Sequence, residues 1–261
     1  MTAVTEFQTV RATHWGTAVT FNVADPGDLI QAFHARGQFY EPEELDIIRV
    51  HCPLGSVFCD IGANIGNHSL FVGLFLHPAA ILPFEVNPVA IALLRANLAA
   101  NGLESLVDAQ YLGVGLSDAP RDGVSLQRVK DNLGATRVSD QAGSFRLAKG
   151  DDLLAGRKVD FLKIDVEGME MAVLAGLKQT ILQHRPRLFV EVDDVNATAF
   201  AAWADAEGYL VVDRFRRYMA NENLMLISRR DPAVLTRADH ARRLNKRRAR
   251  KAARMQEGHE G

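Results

Sequence analysis

From residue 56 onward, strand-like and helix-like runs alternate along the chain. "SVFCDIG" reads as a strand and "NHSLFVGLFL" as a helix. "AILPFEV" is a second strand, followed by the helix "PVAIALLRANLAANG", with Pro88 at its start and Gly102 past its end. "LVDAQYLGVGL" and "KVDFLKIDV" supply a third and a fourth strand, and "GMEMAVLAGLKQTILQ" the helix after them. "RPRLFVEV" is a fifth strand, with "ATAFAAWADAEG" as its helix. Alternation of this kind implies a parallel sheet with helices on both faces. "YLVVDRF" and "NLMLIS" stand too close for a helical crossover, so they pair as an antiparallel hairpin at one edge. The expected fold is α/β, a three-layer Rossmann-like architecture over residues 56–230. "GVSLQRV" and "ATRVSD" form an inserted hairpin within residues 113–150. Residues 1–55 form a lead-in whose capping helix starts at Pro42, and residues 231–261 a tail.

Composition fits a full core: 48% of the residues are hydrophobic and 24% charged. No run of 18 apolar residues exists, and "MTAVTEFQTVRATHW" lacks the basic-then-apolar order of a signal peptide. Cys59 sits inside an apolar strand close to Cys52, as a small core residue would. A reducing, cytoplasmic setting is the expectation. The tail from Arg237 holds nine Lys or Arg against three Asp or Glu, a net +6 that leaves −8 on the rest. An acidic body argues against a broad nucleic-acid surface on the domain. The tail has no aromatic residue for base stacking.

The turn after the first strand, "DIGANIGN", is a nucleotide-site arrangement of strand, glycine turn and helix N-terminus. A dinucleotide fingerprint would need G-x-G-x-x-G, but Gly62 and Gly66 stand four apart with Asn64 at the second glycine position. A phosphate-binding P-loop would end in Gly-Lys-Ser or Gly-Lys-Thr, and this loop ends in Gly66-Asn67-His68. Asp60 at the strand end would repel a pyrophosphate and attract an ammonium or sulfonium group. Glu85, 23 residues after Gly62, suits the two hydroxyls of a ribose. Together these favour S-adenosylmethionine (SAM), which carries both cations and no phosphate.

In "VDFLKIDVEGMEMAVLAG", Phe161, Lys163 and Asp165 share one face of the strand. Two ionisable groups on an inner strand are costly unless paired or used. Asp165 stands at the carboxyl edge of the sheet. Glu167 and Glu170 flank the start of the following helix, where the helix dipole favours acids.

"CDIGANIGNHSL", "FEVNP", "FLKIDVEGMEMAVLAGL" and "RPRLFVEV" resemble the FkbM family of SAM-dependent methyltransferases, over roughly residues 37–228. The resemblance implies a class I methyltransferase sheet of seven mostly parallel strands with an antiparallel edge strand. It implies methyl transfer to oxygen, commonly a hydroxyl of a sugar, glycan or secondary metabolite. It also assigns the SAM contacts to Asp60, Gly62, Ala63, Asn64, Gly66, Glu85 and Asn87, with Gly113 and Val114 near the adenine. Asp165 would face the methionine end and the acceptor. Asn132 and Gly134, in "DNLGATRV", fall in a segment that recurs near the active site.

An acceptor hydroxyl needs a base, and Asp165 is the first candidate, with His68 as the second. His14, His34 and His51 precede the core and could reach from a lid, and Tyr40 and Glu41 could close over SAM. No metal ligands are assigned. A magnesium set of Asp165, Glu191 and Asp193 or Asp194 is weighed below solvated acids. Two other readings stay open: an RNA-binding or RNA-modifying protein that uses the basic tail, and a nucleotide-linked oxidoreductase. The same tail could instead meet an anionic membrane.

Overall fold

The computed structural model describes residues 7–129 and 132–231, with side chains at all of these except 126–142. The expected tail therefore lies outside the described residues, as do the side chains of Asn132 and Gly134. The elements run in the order β1 (Gln8–His14), β2 (Thr17–Val23), α1 (Leu29–His34), α2 (Pro42–His51), β3 (Val57–Ile61), α3 (Asn67–Phe75), β4 (Ala80–Phe84) and α4 (Pro88–Ala100). There follow β5 (Val114–Leu116), β6 (Arg121–Val129), β7 (Asn132–Ala148), α5 (Gly150–Leu153), β8 (Phe161–Ile164), α6 (Glu170–Gly176), α7 (Lys178–His184), β9 (Arg187–Asp193), α8 (Ala197–Ala206), β10 (Tyr209–Phe215) and β11 (Asn221–Ser228).

The main sheet has six strands in the order β10-β11-β9-β8-β3-β4. Strands β4, β3, β8 and β9 are parallel, as the alternation predicts. The closing hairpin lies at the β9 side, but its reversed strand, β11, is one place in from the edge. It pairs antiparallel with both β9 and β10, so the edge strand β10 runs with the rest. The expected third strand is broken. Val107 makes a lone parallel bridge to Ile81, and Asp108 caps a short 3-10 turn at Ala109–Tyr111. Gly113, at φ +94, then turns the chain into β5, which pairs with β7 rather than the main sheet. The helix expected after β8 is two helices, α6 and α7, parted at Leu177. The inserted hairpin is present as β6 and β7, joined to β5 in a three-stranded sheet. Among the described residues, no helix is long and apolar enough to cross a membrane.

Successive residues of the inner strands feed opposite layers, which is why both faces of these strands are apolar. Phe58 and Phe161 stack at 5.3 Å between ring centroids in the layer containing α3 and α4. Cys59, Ile61, Leu162 and Ile164 enter the layer containing α6 and α8. Asp60 and Lys163 therefore share the Phe58 and Phe161 face, and they are direct register partners.

The β1–β2 hairpin is pinned to α4 by asparagines one turn apart. Asn97 accepts the Asn22 N–H at 2.7 Å and donates to the Ile65 carbonyl at 2.9 Å. Asn101 does the same for the N–H and carbonyl of Thr20, at 2.9 and 2.7 Å. Because Asn97 is fully buried, Asn97→Ala strands a main-chain donor and an acceptor away from water. The variant is expected to lose about 2 kcal/mol or more in urea unfolding, and a loss below about 0.5 kcal/mol would contradict this role.

Candidate functional site

A cavity of about 310 Å³ opens at the carboxyl ends of β3, β4, β8 and β9. Gly62, Ala63 and Asn64 form one wall, Glu85 and Val86 a second, and Lys163, Asp165, Val166 and Glu167 a third. Glu191, His68, Tyr40, Glu41 and Tyr218 complete it with apolar residues that include Leu29 and Met169.

The first wall has its shape for a steric reason. Gly62 lies at φ +77, and a Cβ there would stand 1.8 Å from the Asp165 carbonyl oxygen. Only glycine lets the ends of β3 and β8 approach this closely. The Gly62 and Ala63 N–H groups both donate to the Phe84 carbonyl at 3.0 Å, which ties the turn to β4. Three non-glycine wall residues, Glu41, Asn64 and Glu167, also have positive φ, between 47° and 57°. Such backbone is costly and tends to gather at functional sites.

Glu85 is held by main-chain donors. The Asn64 N–H reaches one carboxylate oxygen at 2.8 Å, and the Val86 and Asn87 N–H groups reach the other, also at 2.8 Å. Burial raises its pKa, and these three donors oppose the rise. The loop and the acid thus form one rigid unit.

Lys163 stands beneath the third wall with its side chain only 3% exposed. Its ammonium donates to the Gly62 carbonyl at 2.7 Å and meets Asp165 at 3.2 Å and Asp60 at 3.4 Å. Burial alone would lower its pKa, but Asp165, Asp60 and Glu41 hold it above the ordinary value. Asp165 is 32% exposed and reaches the cavity from this pairing. One oxygen each from Asp165, Glu167 and Glu191 lies within 4.8 Å of the others. Burial, the charges of Asp165, Glu167 and Glu41, and a hydrogen bond to Asp165 push Glu191 up to about 10. Glu41 is pushed up to about 8 by burial and by Glu44 and Asp165. His68 is pulled down to about 3 by burial and by Lys163, so its ring is neutral at ordinary pH. Among the described residues its buried Nε2 has no hydrogen-bond partner, and it lies 3.7 Å from Glu41.

A roof spans the α2 start and the β10–β11 turn. The hydroxyls of Tyr40 and Tyr218 hydrogen-bond to one another. Arg217 binds Glu44 at 2.9 Å and Glu43 at 2.7 Å. Asn67 holds Tyr40 from below, through both its N–H and its carbonyl.

Of the residues singled out in the sequence, the cavity brings together Gly62, Ala63, Asn64, Glu85, Asp165, Glu167, Glu191, His68, Tyr40 and Glu41. Five others stand behind the described wall. Asp60 is fully buried because its face of β3 points into the core layer, where it accepts from Ser69 at 2.6 Å and meets Lys163. Gly66 is the N-cap of α3, packed against Leu94. Asn87 is the N-cap of α4, accepting the Val89 N–H at 3.1 Å. The turn at Gly113 and Val114 carries the next residues, Gly115 and Leu116, to the wall instead. Asp193 caps the turn after β9, and Asp194 pairs with Arg216 at 2.8 Å, so the third carboxyl beside Asp165 and Glu191 is Glu167. His34 binds Asn67, His51 lies buried against Asp213, and His14 binds the Gly37 carbonyl. Tyr218 and Leu29 carry no local sequence signal, since tertiary packing alone brings them to the cavity.

The family model described as the methyltransferase FkbM domain matches residues 60–223. The chain is 28% identical over 197 residues to the AMB antimetabolite synthetase AmbE of Pseudomonas aeruginosa, which covers 59% of this chain but 9% of that protein. It is 28% identical over 174 residues to the methyltransferase sdnD of Sordaria araneosa, covering 51% of this chain and 67% of that one. Among solved structures, the methyltransferase FkbM from Methylobacillus flagellatus KT is similar at a TM-score of 0.47 and 14% identity, covering 66% of this chain and 43% of that chain.

The titrations give a stability profile. His68 and His34, at about 3 and about 4 against an ordinary 6.5, stay neutral when folded, so stability is lost as pH falls below 6.5. Glu41 and Glu191 keep protons that the unfolded chain releases near 4.5, so stability is lost as pH rises above 4.5 toward about 8 and about 10. Between 4.5 and 6.5 the two effects offset, and above 6.5 only the carboxyl loss remains. The urea midpoint is expected to fall from pH 6.5 to 8, and less steeply in Glu191→Gln. A midpoint that rises over this interval, or an unchanged slope in the variant, would contradict the assignment.

Proposed function

The chain belongs to the methyltransferase FkbM family, and on that premise we propose that it transfers a methyl group from SAM to a hydroxyl of a sugar, glycan or secondary-metabolite acceptor. The observation that carries the reading is Asp165, a carboxylate held by Lys163 at 3.2 Å and presented to the cavity. SAM supplies an activated methyl group on a sulfonium centre. Gly62, Ala63, Asn64 and Glu85 would hold it, with Glu85 at the ribose. Among the described residues the buried Asn64 Oδ1 has no hydrogen-bond partner, and Asn64 stands on this wall, which fits a ligand donor there.

Asp165 is the general base: it would take the hydroxyl proton as the acceptor oxygen gains the methyl group that bound SAM would supply, SAM being left as its thioether. Positioning supplies much of the rate, since the leaving group is already activated. His68, the second candidate base in the sequence, lines the same cavity, but its buried ring titrates at about 3, which makes it a weak proton acceptor. The roof of Tyr40 and Tyr218 keeps water from the reacting centre.

Charge favours a neutral hydroxyl compound. Glu41, Glu85, Asp165, Glu167 and Glu191 line the cavity with Lys163 as the one Lys or Arg among its described residues. Phosphate groups of RNA or of a nicotinamide dinucleotide would find one lysine there, already paired with Asp60 and Asp165. Kinship with an antimetabolite synthetase favours the secondary-metabolite branch of the acceptor class. Asp165, Glu167 and Glu191 are read as carboxyls that share protons around one ammonium, and the mechanism uses no magnesium.

Labelled methyl transfer from SAM to a panel of glycans and hydroxylated metabolites tests the reading. Asp165→Asn is expected to lower kcat about 10²–10⁴-fold with little change in SAM affinity, and EDTA to leave the rate unchanged. Transfer to nitrogen acceptors alone, or an undiminished rate in Asp165→Asn, would overturn it.

A further inference from the structure

We propose that Lys163 is a positioning residue that places the negative charge of the site on Asp165 rather than on the neighbouring carboxyls. The proposal deepens the assignment of Asp165 as base, and its consequence for catalysis rests on that assignment.

Carboxyls crowd this end of the sheet. Glu41 enters from the start of α2, Asp60 from β3, Glu191 from β9, and Glu167 from the turn after β8. Glu85, at the end of β4, also feels the Lys163 charge, and His68 from α3 and the hydroxyls of Tyr40 and Tyr218 are further titratable groups on the lining. Carboxyls packed this closely and away from water cannot all ionise together. Which of them carries charge depends on where a cation stands. The Lys163 ammonium donates a hydrogen bond to the Gly62 carbonyl and forms ion pairs with Asp165 and Asp60. Asp60 is sealed in the core, so Asp165 is the carboxylate among these that both meets the cation and reaches the cavity.

The placement follows from the strand itself. Lys163 and Asp165 stand two residues apart and share a face, and Asp60 is the register partner of Lys163 on β3. Glu191 shares a hydrogen bond with Asp165 and keeps the proton. The result is a division of roles, with Asp165 facing the cation and Glu191 set away from it. The same ammonium fixes the Gly62 carbonyl, so the donor loop and the base are positioned by one group.

Selective ¹³C labelling of aspartate side-chain carboxyls reads the charge directly, with Asp165→Asn identifying the resonance. The variants are Lys163→Met and Lys163→Arg, together with the double variant Lys163→Met/Asp60→Asn. The double variant removes the buried carboxylate that the lysine change would strand, and so keeps a folded protein available. The Asp165 titration midpoint is expected to rise by about one pH unit or more in the methionine variants and to return toward wild type in Lys163→Arg. A purely structural lysine would lower the thermal midpoint and leave the Asp165 resonance where it was. An unmoved midpoint in the folded double variant overturns the proposal. Undiminished methyl transfer in Asp165→Asn would overturn the base assignment, and the ¹³C titration decides the role of Lys163 independently.

Discussion

One buried ammonium group organises the carboxyl end of the sheet. Lys163 bonds the Gly62 carbonyl and meets Asp60 and Asp165, so it connects the turn after β3 to the end of β8. A lysine this deep is costly in isolation and becomes tolerable only where carboxylates surround it. The surrounding acids in turn depend on it. Removing one partner of such a set leaves the others buried with an uncompensated charge, which is far more destabilising than never having the set. The close approach of the Gly62 turn to the Asp165 carbonyl makes this geometry possible, and it requires a residue without a side chain.

Around that ammonium the cavity sorts its groups by protonation. Glu191 and Glu41 are held neutral by burial and by their neighbours, and His68 is neutral for the converse reason, its burial beside a cation. Three groups near Asp165 that could otherwise act as acid or base are thereby set to defined states. Pushing the titrations of neighbouring groups apart is how active sites assign acid and base roles. The hydrogen-bonded pair Tyr40 and Tyr218 lines the same cavity, beside Arg217 on Glu43 and Glu44.

Much of this is legible in the residues. The strand–helix alternation foretells the parallel sheet, because inner strands with two apolar faces need helices on both sides. Gly62 to Asn64, Glu85 and Asp165 stand at strand ends, where the fold places ligands, and they meet in one cavity. Asp60 shows the limit. Its position at a strand end suggests a ligand contact, but the register of β3 with β8 turns it inward to Lys163. The third strand has apolar residues in plenty, yet Asp108 and Gly113 break it with a capped turn and a left-handed bend. Tyr218 reaches the cavity only through the order of β9, β11 and β10 in the sheet, which no local pattern encodes.

The most direct test of the account is calorimetric titration of the whole chain with SAM, S-adenosylhomocysteine and NADH. The account predicts saturable binding of SAM and S-adenosylhomocysteine at one site per chain and none of NADH. A folded protein that gives no heat with SAM, or that prefers NADH, would contradict it.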